Sequence, residues 1–231
     1  MKSDDRKINS MNRSTSIEED NLEINYCYCV GLTACFGLGT WHRGFAFVGN
    51  TSSTPVFEAK FGWDKDETIF YNTVISSAAI VGLAVGSFLT GFILKLGRRK
   101  AAIVGHIIAI SGSAIAMFCT VPTLTIGRFF IGFAGGVSNV VFGKMIGETI
   151  PTRVLSKFAM SQQGHTANCV LFTFALGQML PNNEDTEALA KDELWRIIYL
   201  APAMVGVIQI VFILTVFRYE PVAYCIMTGR E

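Results

Sequence analysis

Gly91-Phe92-Ile93-Leu94-Lys95-Leu96-Gly97-Arg98-Arg99-Lys100 joins two long apolar runs, one from about Ile69 to Leu94 and one from Ala101 to about Thr120. An α-helix needs about 20 mostly apolar residues to cross roughly 30 Å of hydrocarbon, and both runs are long enough. The link between them is short, opens and closes on glycine, and carries Lys95, Arg98, Arg99 and Lys100. Such a turn has two physical uses. It can hold the chain by retaining its cations on the cytoplasmic side of a membrane. It can also seat guanidinium groups against the carbonyl ends of neighbouring helices and against acidic side chains.

Outward from this turn, four more apolar runs are legible. One spans about Ile24 to Thr40 and extends towards Val48, interrupted by His42 and Arg43. After the Val121-Pro122 break another runs from about Leu124 to Ile146, followed by Phe158 to Leu180 and Ile197 to Phe217. Pro202 inside the last is compatible with a membrane helix, where neighbours satisfy the freed carbonyl. The pattern predicts an all-α membrane protein: a polar tail over 1–23, a six-transmembrane-helix bundle over 24–218, and a cytoplasmic segment from 219 to 231. Composition agrees. Charged residues make up 16 % of the 231 residues, against roughly 25 % in a soluble domain, and ten of the charges fall in the first 23 residues. The body is correspondingly apolar, with 51 % hydrophobic residues, 18 Phe and 22 Gly in the whole chain.

Several functions are disfavoured. A net charge of +1 offers no bulk attraction to nucleic acid. The six cysteines, Cys27, Cys29, Cys35, Cys119, Cys169 and Cys225, lack metal-type spacing and read as small apolar residues. No nucleophile with a partnered base and no paired carboxylates are visible, so neither an enzyme nor a cofactor is expected. The polar start is not expected to act as a cleavable signal peptide.

Arg153 and Lys157 lie in a second short connection, and Lys2, Arg6, Lys7 and Arg13 in the tail. Glu58, Asp64, Asp66, Glu67 and Glu184, Asp185, Glu187, Asp192, Glu193 fill the opposite loops. The asymmetry predicts a multi-pass integral membrane protein with both termini cytoplasmic. Asn50-Thr51-Ser52 then reads as a glycosylation sequon in the first exterior loop.

The same blocks resemble the sugar porters of the major facilitator superfamily over nearly the whole stretch from Phe36 to Glu231. Gly91 with Gly97-Arg98-Arg99-Lys100 is similar to that family's loop between helices two and three. Gly127-Arg128-Phe129 with Gly132, Gly135 and Gly136 is similar to its glycine-rich fourth helix. Glu148-Thr149-Ile150-Pro151 resembles its Glu-x-x-Pro turn, Trp195-Arg196 the opening of its sixth helix, and Glu220-Pro221 with Tyr224 and Gly229-Arg230 the block after that helix. Departures accompany the likeness. The first loop has five residues between its glycines instead of six, with Lys95 near the acidic position. Leu155 and Ser156 replace Arg-Gly after the Glu-x-x-Pro turn, and Ala223 stands where an arginine is usual.

The resemblance implies one half of a major facilitator fold, with gating or structural roles for Gly91, Gly97, Arg98, Arg99, Arg128, Glu148, Arg153 and Glu220. Arg128 is costly in a helix, about 3 kcal/mol on insertion scales; the alternative is that it snorkels to the nearby interface. The resemblance also places a sugar-binding glutamine twelve residues after Pro151, at Gln163. Gln162, Thr166, Cys169 and Thr173 recur at helical spacing beside it. These polar groups either bind polyol hydroxyls or join helices, at about 0.6 kcal/mol each. Gln163, Gln162, Thr166 and Asn139 are the candidate substrate-binding residues. Asn168 is a further lining candidate, and His165 is a packed neutral imidazole or a pore-side donor. The implied function is alternating-access movement of a sugar such as a hexose by the amino-terminal half of a transporter. The partners would be lipid, sugar, and either the missing carboxy-terminal half or a second copy. A half-size protein associating with a full-length transporter, and an organic-ion porter of the same superfamily, are the alternatives.

Overall fold

The computed structural model describes residues 25–180 and 193–217 together with Leu189, Lys191, Pro221 and Cys225. The tail 1–23, the acidic residues at 184, 185, 187 and 192, and Glu220, Tyr224, Gly229 and Arg230 therefore lie outside the described residues. The elements are α1 (Tyr26–Gly39), α2 (Trp41–Phe61), α3 (Lys65–Ile93), a 3₁₀ turn (Leu94–Leu96), α4 (Arg98–Ala116), α5 (Val121–Thr149), α6 (Thr152–Gly177) and α7 (Trp195–Thr215). No strand occurs among the described residues.

Local chemistry sets the boundaries. The Asn25 side chain accepts the Tyr28 N–H at 3.1 Å and caps α1. At Thr40 both the backbone N–H and the hydroxyl donate to the Gly37 carbonyl, closing the turn early, so the first span consists of two helical pieces. Gly62, with φ +64°, stops α2. Asp64 then starts α3 with a reciprocal cap in which Glu67 accepts its N–H at 3.2 Å. Gly97 adopts φ +115° between the 3₁₀ turn and α4, a conformation closed to other residues at little cost. The Thr120 hydroxyl and Pro122 open α5, and extended Ile150 ahead of Pro151 ends it.

α5 is the centre of the bundle and packs against α1, α2, α3, α4 and α6. Its approach to α3 is backbone to backbone. A methyl added at Gly132 would lie 2.0 Å from the Ala79 carbonyl oxygen, and one at Gly136 2.3 Å from that of Leu83. From the other side, Gly82 and Gly86 face the Phe129 and Phe133 carbonyls in the same way. Gly127 likewise meets Gly112 and Ala116 of α4. The glycines of the fourth span are thus packing surface, as small-residue faces are in membranes. Large apolar side chains point outward instead: Phe88 of α3 is 77 % exposed, and Met204 and Val211 of α7 are exposed too. Apolar surface of this extent is what lipid or a partner bundle covers.

Four helices are long and apolar enough to cross a membrane by themselves: α3 with its 3₁₀ turn, α4, α5 and α7. The α1–α2 pair and α6 fall short because the first is split and carries His42, Arg43 and Asn50, and the second carries Gln162, Gln163, His165 and Asn168. One expectation fails here. Asn50 lies inside α2, is 1 % exposed, and is not in a loop. Its amide contacts Asn72 and donates to Ser76 Oγ at 3.0 Å, while its oxygen accepts the Tyr199 hydroxyl at 3.3 Å. The run Thr51–Thr54 reads as a loop in sequence, yet the Ser53 and Thr54 hydroxyls bond back to the Gly49 and Asn50 carbonyls and the helix continues.

The α3–α5 contact gives a stability prediction. Gly132→Ala should lower the midpoint of thermal unfolding in detergent by several degrees, because overpacking costs about 1–3 kcal/mol and each kcal/mol shifts a domain of this size by about 2–4 °C. Gly143→Ala, whose methyl meets nothing within 4 Å, should leave the midpoint unchanged or raise it. Equal effects at both positions would contradict the packing.

Candidate functional site

Gly135 and Asn139 lie one turn apart on α5, and a methyl at Gly135 would come within 3.0 Å of the Arg43 backbone nitrogen. Gly44 makes a matching contact with Cys169 of α6, whose Cβ would lie 2.6 Å away. These two glycines draw α2 between α5 and α6 and place Arg43 where side chains of both reach it. Its Nη1 donates to Asn139 Oδ1 at 2.6 Å, and its Nη2 to Gln163 Oε1 at 2.8 Å and Thr166 Oγ1 at 2.9 Å. Gln162 Nε2 donates to both the backbone and side-chain oxygens of Asn139 at 2.9 Å. The Thr166 hydroxyl donates in turn to the Gln162 carbonyl at 3.1 Å. All four residues expected on sequence grounds, Gln163, Gln162, Thr166 and Asn139, therefore meet in one network. Its hub, Arg43, reads in sequence only as an interruption of the first span. The signal was available, since a charge inside an apolar run is a functional candidate by default.

The inward stripe of α6 behaves as its period requires. Thr166, Cys169 and Thr173 are buried, and the Cys169 thiol lies 3.1 Å from the Trp41 carbonyl. Gln163 is exposed on the open side. Asn168 and His165 do not join the network. They line a separate groove of about 510 Å³ with Trp41, Leu38, Phe212 and Phe217. The His165 ring rests on Gly37, where an added methyl would lie 2.3 Å from it.

Arg128 does not snorkel. It is 2 % exposed and donates from Nη1 and Nη2 to the Phe45 and Ala46 carbonyls, each at 2.7 Å. Gly49 leaves room for the guanidinium, with Nη1 3.0 Å from where its Cβ would be. A second buried polar link joins His42 Nε2 and His106 Nδ1 at 3.0 Å, tying α2 to α4.

The basic turn uses its guanidinium groups as side-chain clamps. Arg98 grips Glu148 through Nε, 2.9 Å from Oε2, and Nη2, 2.6 Å from Oε1. It also reaches the Leu94 carbonyl at 3.3 Å. Arg99 donates to the Ile213 carbonyl at 3.0 Å and so holds the end of α7. Gly97 makes this turn possible through its positive φ, whereas a methyl at Gly91 would meet nothing within 4 Å. Arg153 is exposed in the first turn of α6. At the opposite end Lys60 and Arg196 both pair with Glu193, at 3.1 and 2.5 Å.

This fold is one six-span bundle of the major facilitator superfamily. It superposes on a proton:xylose symporter of that superfamily, solved with 6-bromo-6-deoxy-D-glucose, with a TM-score of 0.77 at 15 % identity, covering 90 % of this chain and 48 % of that one. An inward-open structure of the xylose transporter from E. coli gives 0.73 at 14 % identity. The chain belongs to the sugar transporter family, whose profile, described as sugar (and other) transporter, matches residues 30–231. Among curated relatives, hexose transporter 1 of Toxoplasma gondii is 27 % identical over 225 residues, spanning 87 % of this chain and 39 % of that protein. Myo-inositol transporter 1 of Cryptococcus neoformans is 31 % identical over 109 residues, 46 % of this chain and 18 % of that protein. The chain thus spans about half the length of the solved structures and less than half of these relatives.

The Arg98–Glu148 clamp is testable. Glu148→Gln should lower the thermal midpoint in detergent by about 3 °C or more, since a charge-assisted pair contributes about 1.5–3 kcal/mol. The exchange Arg98→Glu with Glu148→Arg should recover part of that loss. No recovery would mean that the two residues act separately.

Proposed function

We propose that this chain forms the amino-terminal six spans of a sugar transporter working by alternating access, with a hexose or related polyol as substrate. In such folds the substrate sits between two six-helix halves that rock against one another. The observation that carries this reading is the network around Arg43, which gathers polar side chains from α2, α5 and α6 at membrane depth, with Gln163 on the open side. The names of the relatives, hexose and myo-inositol transporters, point to polyols. The second half is supplied by a carboxy-terminal bundle. The clamps at Arg98 and Arg99 hold the ends of α4, α5 and α7 as one rigid unit, which rocking requires.

Orientation is part of the proposal. The basic turn and the start of α6 face the cytoplasm and the Gly62–Asp64 turn faces outward, because short-loop cations are retained inside. A single cysteine at Asp66 should react with an impermeant maleimide added outside intact cells, and one at Lys100 should not. The opposite pattern would overturn the orientation.

Transport gives the direct test. Expressed with the carboxy-terminal half of a hexose transporter in cells lacking their own hexose uptake, the chain should restore saturable uptake, and the chain alone should not. Gln163→Ala should raise the half-saturation concentration about 5- to 30-fold, the cost of one unpaired hydrogen bond of about 1–2 kcal/mol. Gln178→Ala, at the far end of α6, should not. Gln162 is no neutral control, because it too enters the network through Asn139. Uptake by the chain alone would favour a homodimer over the two-half reading.

A further inference from the structure

Arg43 is a cation with neutral partners. The ion pairs Lys60–Glu193, Arg98–Glu148 and Arg196–Glu193 lie elsewhere, and among the described residues no carboxylate oxygen lies within 4.0 Å of the Arg43 guanidinium. Arg128, the other arginine at this depth, is sealed beneath the surface on two backbone carbonyls. Arg43 is half-buried and shares its hydrogen bonds with exposed Gln163. The polarity of the network follows from arginine having donors only. Asn139 and Gln163 must each turn their oxygen towards it, which sends both NH₂ groups away, and neither has an acceptor among the described residues. The Thr166 hydroxyl is engaged as well, accepting from Arg43 and donating to the Gln162 carbonyl. What the network turns towards a ligand is a positive charge flanked by amide donors, with only the second lone pairs of the Gln163 and Thr166 oxygens left as acceptors.

The hydroxyls of a neutral hexose can accept from these donors but leave that charge uncompensated. A carboxylate brings acceptors alone and a matching charge, and can take the second Nη1 proton of Arg43, since both Nη2 protons are given to Gln163 and Thr166 and Nε is buried. We infer that the network around Arg43 receives the carboxylate of a sugar acid, with Gln163 and Asn139 donating to the same anionic end. The inference rests on the sugar-site reading above and narrows it from polyols in general to carboxylate-bearing ones.

The test is ligand-induced thermal stabilisation of the purified chain, which reports affinity by mass action. Sodium glucuronate, D-glucose, myo-inositol, glucuronate methyl ester and sodium acetate are titrated at constant ionic strength. Glucuronate should bind at least tenfold more tightly than glucose or the uncharged methyl ester, and more tightly than acetate, which has the carboxylate without the polyol. Arg43→Gln should abolish the preference for glucuronate over glucose, and Arg43→Lys should retain part of it. Because the methyl ester tests the carboxylate on the unaltered protein, the answer does not depend on either variant folding. Glucose or myo-inositol binding as tightly as glucuronate would overturn this inference and leave the sugar site standing. Stabilisation by acetate equal to that by glucuronate would reduce the site to an adventitious ion site and overturn it. A preference for glucuronate that persists in Arg43→Gln would overturn the role of Arg43. Stabilisation by none of the sugars would overturn both this inference and the site reading.

Discussion

The distance between the α5 backbone and its neighbours is what the rest of the bundle depends on. In hydrocarbon there is no water to expel from between helices, so association relies on close van der Waals packing and on hydrogen bonds that lipid cannot supply. Gly132 and Gly136 meet α3, Gly127 meets α4, and Gly135 meets α2, each without a side chain between the backbones. The close approach to α2 has a second effect. It holds Arg43 over Asn139, and Arg128 beneath the Phe45 and Ala46 carbonyls. Packing and site geometry therefore share the same glycines.

Two arginines at membrane depth divide the labour. Arg128 spends two of its nitrogens on α2 carbonyls that already serve the helix ladder, using their second lone pairs, and is sealed from solvent. That is a structural staple, and it fixes the piece of α2 that follows the Thr40 break. Arg43, one helical turn into α2, stays open. Its partners come from α5 and α6, so any movement of α6 relative to α2 changes the network. At the other end, Arg98 joins α4 to the Glu148 carboxylate of α5, and Arg99 joins it to the Ile213 carbonyl of α7. Lys95 stands near the acidic position of the loop that the basic turn resembles, and Arg98 pairs with Glu148 of α5.

Parts of the site were legible and parts were not, for identifiable reasons. Gln163 could be singled out because the family resemblance places a sugar-binding glutamine twelve residues after Pro151, and Gln162 because it recurs at helical spacing with Thr166, Cys169 and Thr173. Their shared attachment could not be foreseen. On α6 they point about 100° apart, and only the position of Asn139 and Arg43 between them makes both part of one network. Arg43 was visible as a charge in an apolar run, yet with no length of clean helix around it the residue looked like a boundary. Asn50 reads as a loop residue for a related reason: hydroxyls at Ser53 and Thr54 look solvated in sequence but are satisfied by their own helix.

The sequence by itself determined the helices after the first span, whose break at Thr40 and continuation to Phe61 it did not mark, because apolar length, capping residues and turn glycines act within a few neighbours. It determined the all-α bundle and the basic turn, and through a series of short blocks it determined the family, borne out by the match over residues 30–231. The tertiary structure decided which polar residues face one another: that Arg128 is sealed, that Arg43 is the hub, that Asn50 is buried, and that His165 faces a groove away from the glutamines. These depend on how helices distant in sequence approach and rotate against each other. In this bundle that is set by glycine contacts between backbones, which leave no periodic mark saying which helix lies opposite.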